Sequence, residues 1–122
     1  MEVGEVMPKK DFSVTIENHN QVNHIDVKAI LTEDEIKYKE TDGTITHFNY
    51  QKRLLTRENK DLKMTYRFLE QRKTEGTIEI KEFNQEMKVT IETEKIKENG
   101  NNIEIIFRVE EDPFIYRIEE IV

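Results

Sequence analysis

The residues of this chain that could do chemistry are few and scattered. None of the 122 residues is cysteine, so the chain has no thiolate nucleophile, no cysteine-ligated zinc and no disulfide framework. His19 and His24 flank a turn, and His24-Ile25-Asp26 places an imidazole and a carboxylate on one face of a strand. Such a trio can bind a transition metal, but no further ligand follows at a recognisable spacing. Solvated turn histidines are therefore the preferred reading, and no metal is expected. Glu110, Glu111 and Asp112 lack the alternating oxygen ligands and bridging glycine of a calcium loop and read as an acidic turn. Ser13 has no histidine and acid that the sequence can assign to it, and no glycine-rich phosphate loop is present. With no acid, base and nucleophile set to assemble, an enzyme is the least supported class. No cofactor is expected.

What remains is a polar group among residues that read as the lining of a sheet: Arg57, with Tyr38, Glu40 and Tyr66 as neighbours, and Tyr116. Two roles are open to Arg57. It can form a structural ion pair near a rim, or it can hold the polar end of a ligand while the tyrosine hydroxyls address the same group.

The elements that must position these residues are strands. Met87, Val89, Ile91 and Thr93 alternate with polar residues, and Ile103, Ile105, Phe107 and Val109 alternate with Glu104, Ile106 and Arg108; a period of two means strand. The two runs face each other across Glu98-Asn99-Gly100-Asn101-Asn102, where Asn and Gly accept the positive φ of a hairpin turn. Ile105 and Phe107 fall on the core face, with Glu104 and Arg108 on the solvated one. Before this hairpin, Phe12 to Ile16, Ile25 to Leu31, Ile36 to Lys39 and Thr44 to Tyr50 read as strands; Thr46, Phe48 and Tyr50 point inward in the last. Thr32-Glu33-Asp34-Glu35 has the form of a helix capping box, but no apolar stripe follows it, so a turn is expected. Arg53 to Arg57, Leu62 to Leu69, Thr77 to Lys81 and a final strand carrying Phe114, Tyr116 and Ile118 complete the set. Residues 1–10 show no periodicity and read as a lead-in, disordered or an expression remnant; residues 11–122 read as a single barrel domain.

Composition agrees. With 35% hydrophobic and 37% charged residues, the chain suits sheets that bury one face and solvate the other. A net charge of -7 opposes general nucleic-acid binding, which needs basic surface to displace counterions. The charge is uneven: residues 51–73 hold eight basic and three acidic residues, +5, which leaves -12 for the rest of the chain. Cross-strand pairing with the acidic strands nearby is the plainer account of this strip, and an anion-binding patch the other. The N-terminal residues lack a signal-peptide pattern and no run approaches membrane-spanning length, so a soluble, cytoplasmic protein is expected. The oligomeric state cannot be read.

Short turns, no βαβ alternation and a long up-and-down meander lead to an all-β, antiparallel barrel of about eight to ten strands, because closure removes unpaired edges. Ile36-Lys37-Tyr38-Lys39-Glu40, Leu54-Leu55-Thr56-Arg57, Met64-Thr65-Tyr66-Arg67-Phe68, Thr74-Glu75-Gly76, Val89 to Thr93 and Ile103 to Val109 together resemble the YwiB-like family of small bacterial proteins of unknown function. The resemblance implies a calycin-like (lipocalin-like) barrel and no activity. Where relatives tend to have a glycine after the arginine, this chain has Glu58-Asn59. Barrels of this size are either filled by side chains or hold one small ligand. Two functions follow: a binding module taking a small, partly apolar ligand at the barrel mouth, or a non-catalytic interaction domain using the outer wall or the basic strip 51–73.

Overall fold

The computed structural model describes residues 9–122. Ten strands run β1 (Lys9–Asn18), β2 (Gln21–Leu31), β3 (Glu35–Lys39), β4 (Ile45–Asn49), β5 (Leu54–Glu58), β6 (Leu62–Arg67), β7 (Arg72–Ile80), β8 (Gln85–Asn99), β9 (Asn102–Val109) and β10 (Asp112–Glu120). The one helical element among the described residues is a 3-10 turn, Lys81–Phe83, between β7 and β8. Each strand pairs antiparallel with the next, and β1 pairs with β10 to close the barrel. The expected all-β, up-and-down barrel is therefore found. β1 starts at Lys9, inside the segment read as a lead-in; residues 1–8 of that segment lie outside the described residues.

The core follows from the alternation. Phe12, Val14, Ile36, Phe48, Leu55, Ile91, Ile103, Ile105, Phe107 and Ile118 are buried, each flanked by neighbours that face solvent. Thr46 and Phe48 point inward as expected, whereas Tyr50 lies in the turn beyond β4 and donates its hydroxyl to the Asn101 carbonyl at 2.9 Å. No helix follows the Thr32–Glu35 motif: Thr32 and Glu35 bond each other across a turn into β3.

Three features escape the alternation. Gly76, expected ahead of its strand, sits inside β7, and a Cβ there would lie 2.7 Å from Ile91 Cδ1 and 2.9 Å from Tyr66 Cδ1. Those side chains fill the space above the bare backbone. A bulge between Thr93 and Lys95 reverses the phase of β8, so that Ile96, three residues after Thr93 and one out of step with it, packs against the core. Finally, the barrel is closed unevenly. β2 and β3 share only two pairs, Ile30 with Lys37 and Leu31 with Ile36. On β8, partners from β7 run from Gln85 to Thr93 and partners from β9 only from Ile91 onward.

Antiparallel order places the turns at 18–21, 40–44, 59–61, 81–84 and 110–111 at one end. At the opposite end, Tyr50 reaches Asn101, Arg53 pairs with Glu98 at 2.7 Å and the Ile121 amide donates to the Asp11 carbonyl. That end is tied shut. No helix among the described residues is long and apolar enough to cross a membrane.

Candidate functional site

The polar residues singled out in the sequence converge near the first end. Leu55 is buried and Arg57, two residues on, shares its inward face. Register sets Tyr38 opposite Thr46, Thr46 opposite Arg57 and Arg57 opposite Met64, which faces Ile78, which faces Met87. One row on the inner wall thus changes from polar to apolar along its length.

Arg57 grips Glu40 with two nitrogens, Nε to Oε2 at 3.0 Å and Nη2 to Oε1 at 2.7 Å. Thr46 donates to the same Oε2 at 2.8 Å. A planar fork on a carboxylate is the strongest geometry such a pair can adopt. Burial works against the Arg57 charge, but the Glu40 carboxylate beside it outweighs this and holds the guanidinium pKa above its usual value. Arg57 and Glu40 side chains remain 29% and 16% exposed, so the pair stands at the rim and not in the dry core.

Below it, the Tyr38 and Tyr116 hydroxyls share a hydrogen bond of 2.7 Å. Both rings are buried. Desolvation pushes the Tyr38 hydroxyl up to about 12, with the Tyr116 bond opposing, and drives Tyr116 up as well. Neither ionises near neutrality. Tyr66 is also raised by burial, with Arg57 opposing, but the described residues offer its hydroxyl no hydrogen bond. Its ring packs edge-on against Phe107 at 6.5 Å, and Phe107 stacks on Phe114 at 5.5 Å. All five predicted residues therefore belong to one neighbourhood: a bidentate ion pair, a tyrosine couple beneath it and a third tyrosine at its side. Thr46, the third member of the hydrogen-bonded group with Arg57 and Glu40, was legible only as an inward residue.

Around the rim the lining stays half-buried. Ile16, Ile25, Met64, Ile78, Val109 and Phe114 pack against the core without being enclosed by it, and Met87 is 47% exposed. Asn18, inward by alternation with Phe12, Val14 and Ile16, carries a buried Oδ1 with no hydrogen-bond partner.

The other residues singled out in the sequence lie elsewhere on the barrel. His24 bonds Asp26 at 3.1 Å and lies 3.3 Å from the Ser13 hydroxyl, a juxtaposition the sequence did not reveal because it depends on β1–β2 register. The group sits on the outer wall, His24 and Asp26 being 53% and 68% exposed. His19 faces Asp112 at 3.6 Å instead. No metal-binding cluster occurs among the described residues. The basic strip is largely dispersed: Arg57 turns inward to Glu40, Arg53 pairs with Glu98, Lys63 stands opposite Glu58 and Glu79, and Lys73 stands opposite Glu92. An outer groove of about 430 Å³ collects Lys37, His47, Lys60 and Lys81, but Lys81 is bound to Glu58 at 2.8 Å and His47 to Glu35 at 2.8 Å.

No known family model and no curated protein matches the chain. Among solved structures it is similar to the crystal structure of ywiB protein from Bacillus subtilis, with a TM-score of 0.57 and 15% sequence identity over 93% of this chain and 91% of that one. The likeness read from scattered strand motifs is thus a likeness of fold, spanning nearly the whole of both chains.

Proposed function

We propose that the end of the barrel where the lining is half-buried binds a small, partly apolar molecule, in keeping with the lipocalin-like architecture expected from the sequence. The observation that carries this reading is the inner row itself, where a polar cluster of Tyr38, Thr46 and Arg57 gives way to Met64, Ile78 and Met87. Ligand sites are commonly apolar walls with a few convergent polar groups. Because Glu40 already neutralises Arg57, the polar end of the ligand is an uncharged acceptor such as a carbonyl or hydroxyl. It meets Arg57 Nη1, which makes no hydrogen bond among the described residues, while the apolar body lies on Met64, Ile78 and Phe114. A carboxylate would have to displace Glu40 and is disfavoured.

The test uses N-phenyl-1-naphthylamine, a neutral fluorophore whose emission rises in apolar surroundings. Saturable binding at about one probe per chain is expected, abolished by Met64→Arg and weakened by Arg57→Met. Emission that grows without saturation, or saturable binding indifferent to Met64→Arg, overturns the reading.

A further inference from the structure

The upper part of β8 carries an interaction surface of its own. From Gln85 to Thr90 this strand is paired with β7 and has no β9 partner, since β9 joins only at Ile91. Thr90 shows which backbone groups face the open side: its carbonyl accepts from the Glu110 amide and its amide donates to the Glu110 carboxylate. Backbone direction alternates along a strand. Lys88 and Glu86 therefore also direct their N–H and C=O groups outward, and among the described residues no strand receives those groups. Exposed edges of this kind are templates for pairing.

We propose that this edge pairs antiparallel with the same edge of a second copy of the chain, about a two-fold axis at Met87. The charge pattern selects this occupant and this register. With Met87 opposite the partner's Met87, Glu86 lies opposite the partner's Lys88, and symmetry repeats the pair. Both outward-facing residues then exchange backbone hydrogen bonds with a residue of opposite charge. Shifting the axis to Lys88 or to Glu86 sets like charges against each other, and a shift by one residue turns the outward amides toward residues bonded to β7. Glu86 has reason to accept such a neighbour: within its own sheet it stands opposite Glu79, a like-charge pair that destabilises an antiparallel ladder. Among the described residues the Lys88 ammonium pairs with Glu75 alone, at 3.8 Å, with both side chains more than 60% exposed, so it can turn to Glu86 across the axis. Met87 and Phe83, 47% and 64% exposed, add the apolar area that joining two sheets would cover. The backbone edge of β8 carries this association, and of the row proposed to meet the ligand it shares only Met87.

Sedimentation equilibrium from about 10 μM to about 1 mM tests it across the range expected of a small, weak interface. The native chain should dimerise, and Glu86→Lys and Lys88→Glu should each weaken the dimer roughly tenfold or more by placing like charges opposite one another. The double variant, which exchanges the two charges and restores complementarity, should regain native affinity. The chain has no cysteine, so Met87→Cys places a single thiol on the proposed axis; mild oxidation should give a reducible covalent dimer, and Lys97→Cys should not. A chain monomeric throughout the range, a dimer insensitive to the single charge changes, or a double variant no better than the singles overturns the proposal. Far-ultraviolet circular dichroism of each variant verifies that the barrel is intact.

Discussion

The Tyr38–Tyr116 hydrogen bond is a single polar contact that ties distant strands together inside the barrel. It spans 78 positions in sequence and joins two hydroxyls in a region that water does not reach. Removing one partner leaves the other desolvated and unpaired, so Tyr38→Phe should cost about 1–3 kcal/mol in chemical denaturation. A pH dependence accompanies it. The folded Tyr38 hydroxyl has its pKa raised from 10.0 to about 12, so the folded state holds its proton where the unfolded chain releases it. The resulting stability is complete below pH 10 and is lost as pH rises toward about 12. For one tyrosine raised by about two units this amounts to on the order of 2–3 kcal/mol. Denaturation midpoints measured at pH 9, 10 and 11 should fall steeply for the native chain and less so for Tyr38→Phe. Parallel curves would mean that Tyr38 does not govern the alkaline transition. Arg57 and Glu40 were paired in the sequence reading only as neighbours; their bidentate contact depends on register through two hairpins, which residue types alone do not specify.

At the scale of the element, β7 and β8 depart furthest from the simple pattern. Thr74-Glu75-Gly76 has the composition of a turn, yet these residues continue β7 because Ile91 and the Tyr66 ring close over the glycine. Gly76→Ala, conservative by composition, should destabilise by about 1–3 kcal/mol through overpacking, since its Cβ would also stand 3.1 Å from the Thr65 carbonyl oxygen. A loss below about 0.5 kcal/mol, the ordinary range for surface changes, would show that Ile91 and Tyr66 relax freely. The bulge after Thr93 was equally hidden. Val89, Ile91 and Thr93 announce one face, and only pairing with Phe107 on one side and Ile106 on the other of the bulge reveals that the inward face resumes at Ile96. The turn between β9 and β10 is built without glycine, Glu110 and Glu111 taking φ of 48° and 77°. Its acidic composition marked a turn, but its part in ending β9 below the free edge of β8 is a consequence of tertiary position.

For the molecule as a whole, one buried cluster runs through the barrel from Phe12 and Ile118 to Phe48 and Phe107. Phe107→Ala should cost about 3–5 kcal/mol, transfer energy plus a cavity, a large part of the roughly 5–15 kcal/mol typical of a domain. Arg108→Ala, on the solvated face, should change stability by no more than about 0.5 kcal/mol. Glu104 does not behave as a merely solvated neighbour: it accepts from Arg117, which also holds Glu17 at 2.7 Å, and lies 3.8 Å from Lys97. Glu104→Ala is therefore expected to cost more than Arg108→Ala, on the order of 0.5–1 kcal/mol for a partly exposed network. Urea denaturation of the three variants orders them; equal losses for Phe107 and Arg108 would contradict the core register. The sequence alone determined the strands, most of their inward faces and their closure into an antiparallel barrel, because a side-chain period of two and turn chemistry are local properties. It also narrowed the chemistry, through the absence of cysteine and the isolation of its histidines. Tertiary structure decided which polar residues meet, at which end of the barrel the lining stays half-buried and which edge of β8 is left without a β9 partner, because each depends on register and strand offset summed around the barrel, where a one-residue bulge redirects every side chain that follows.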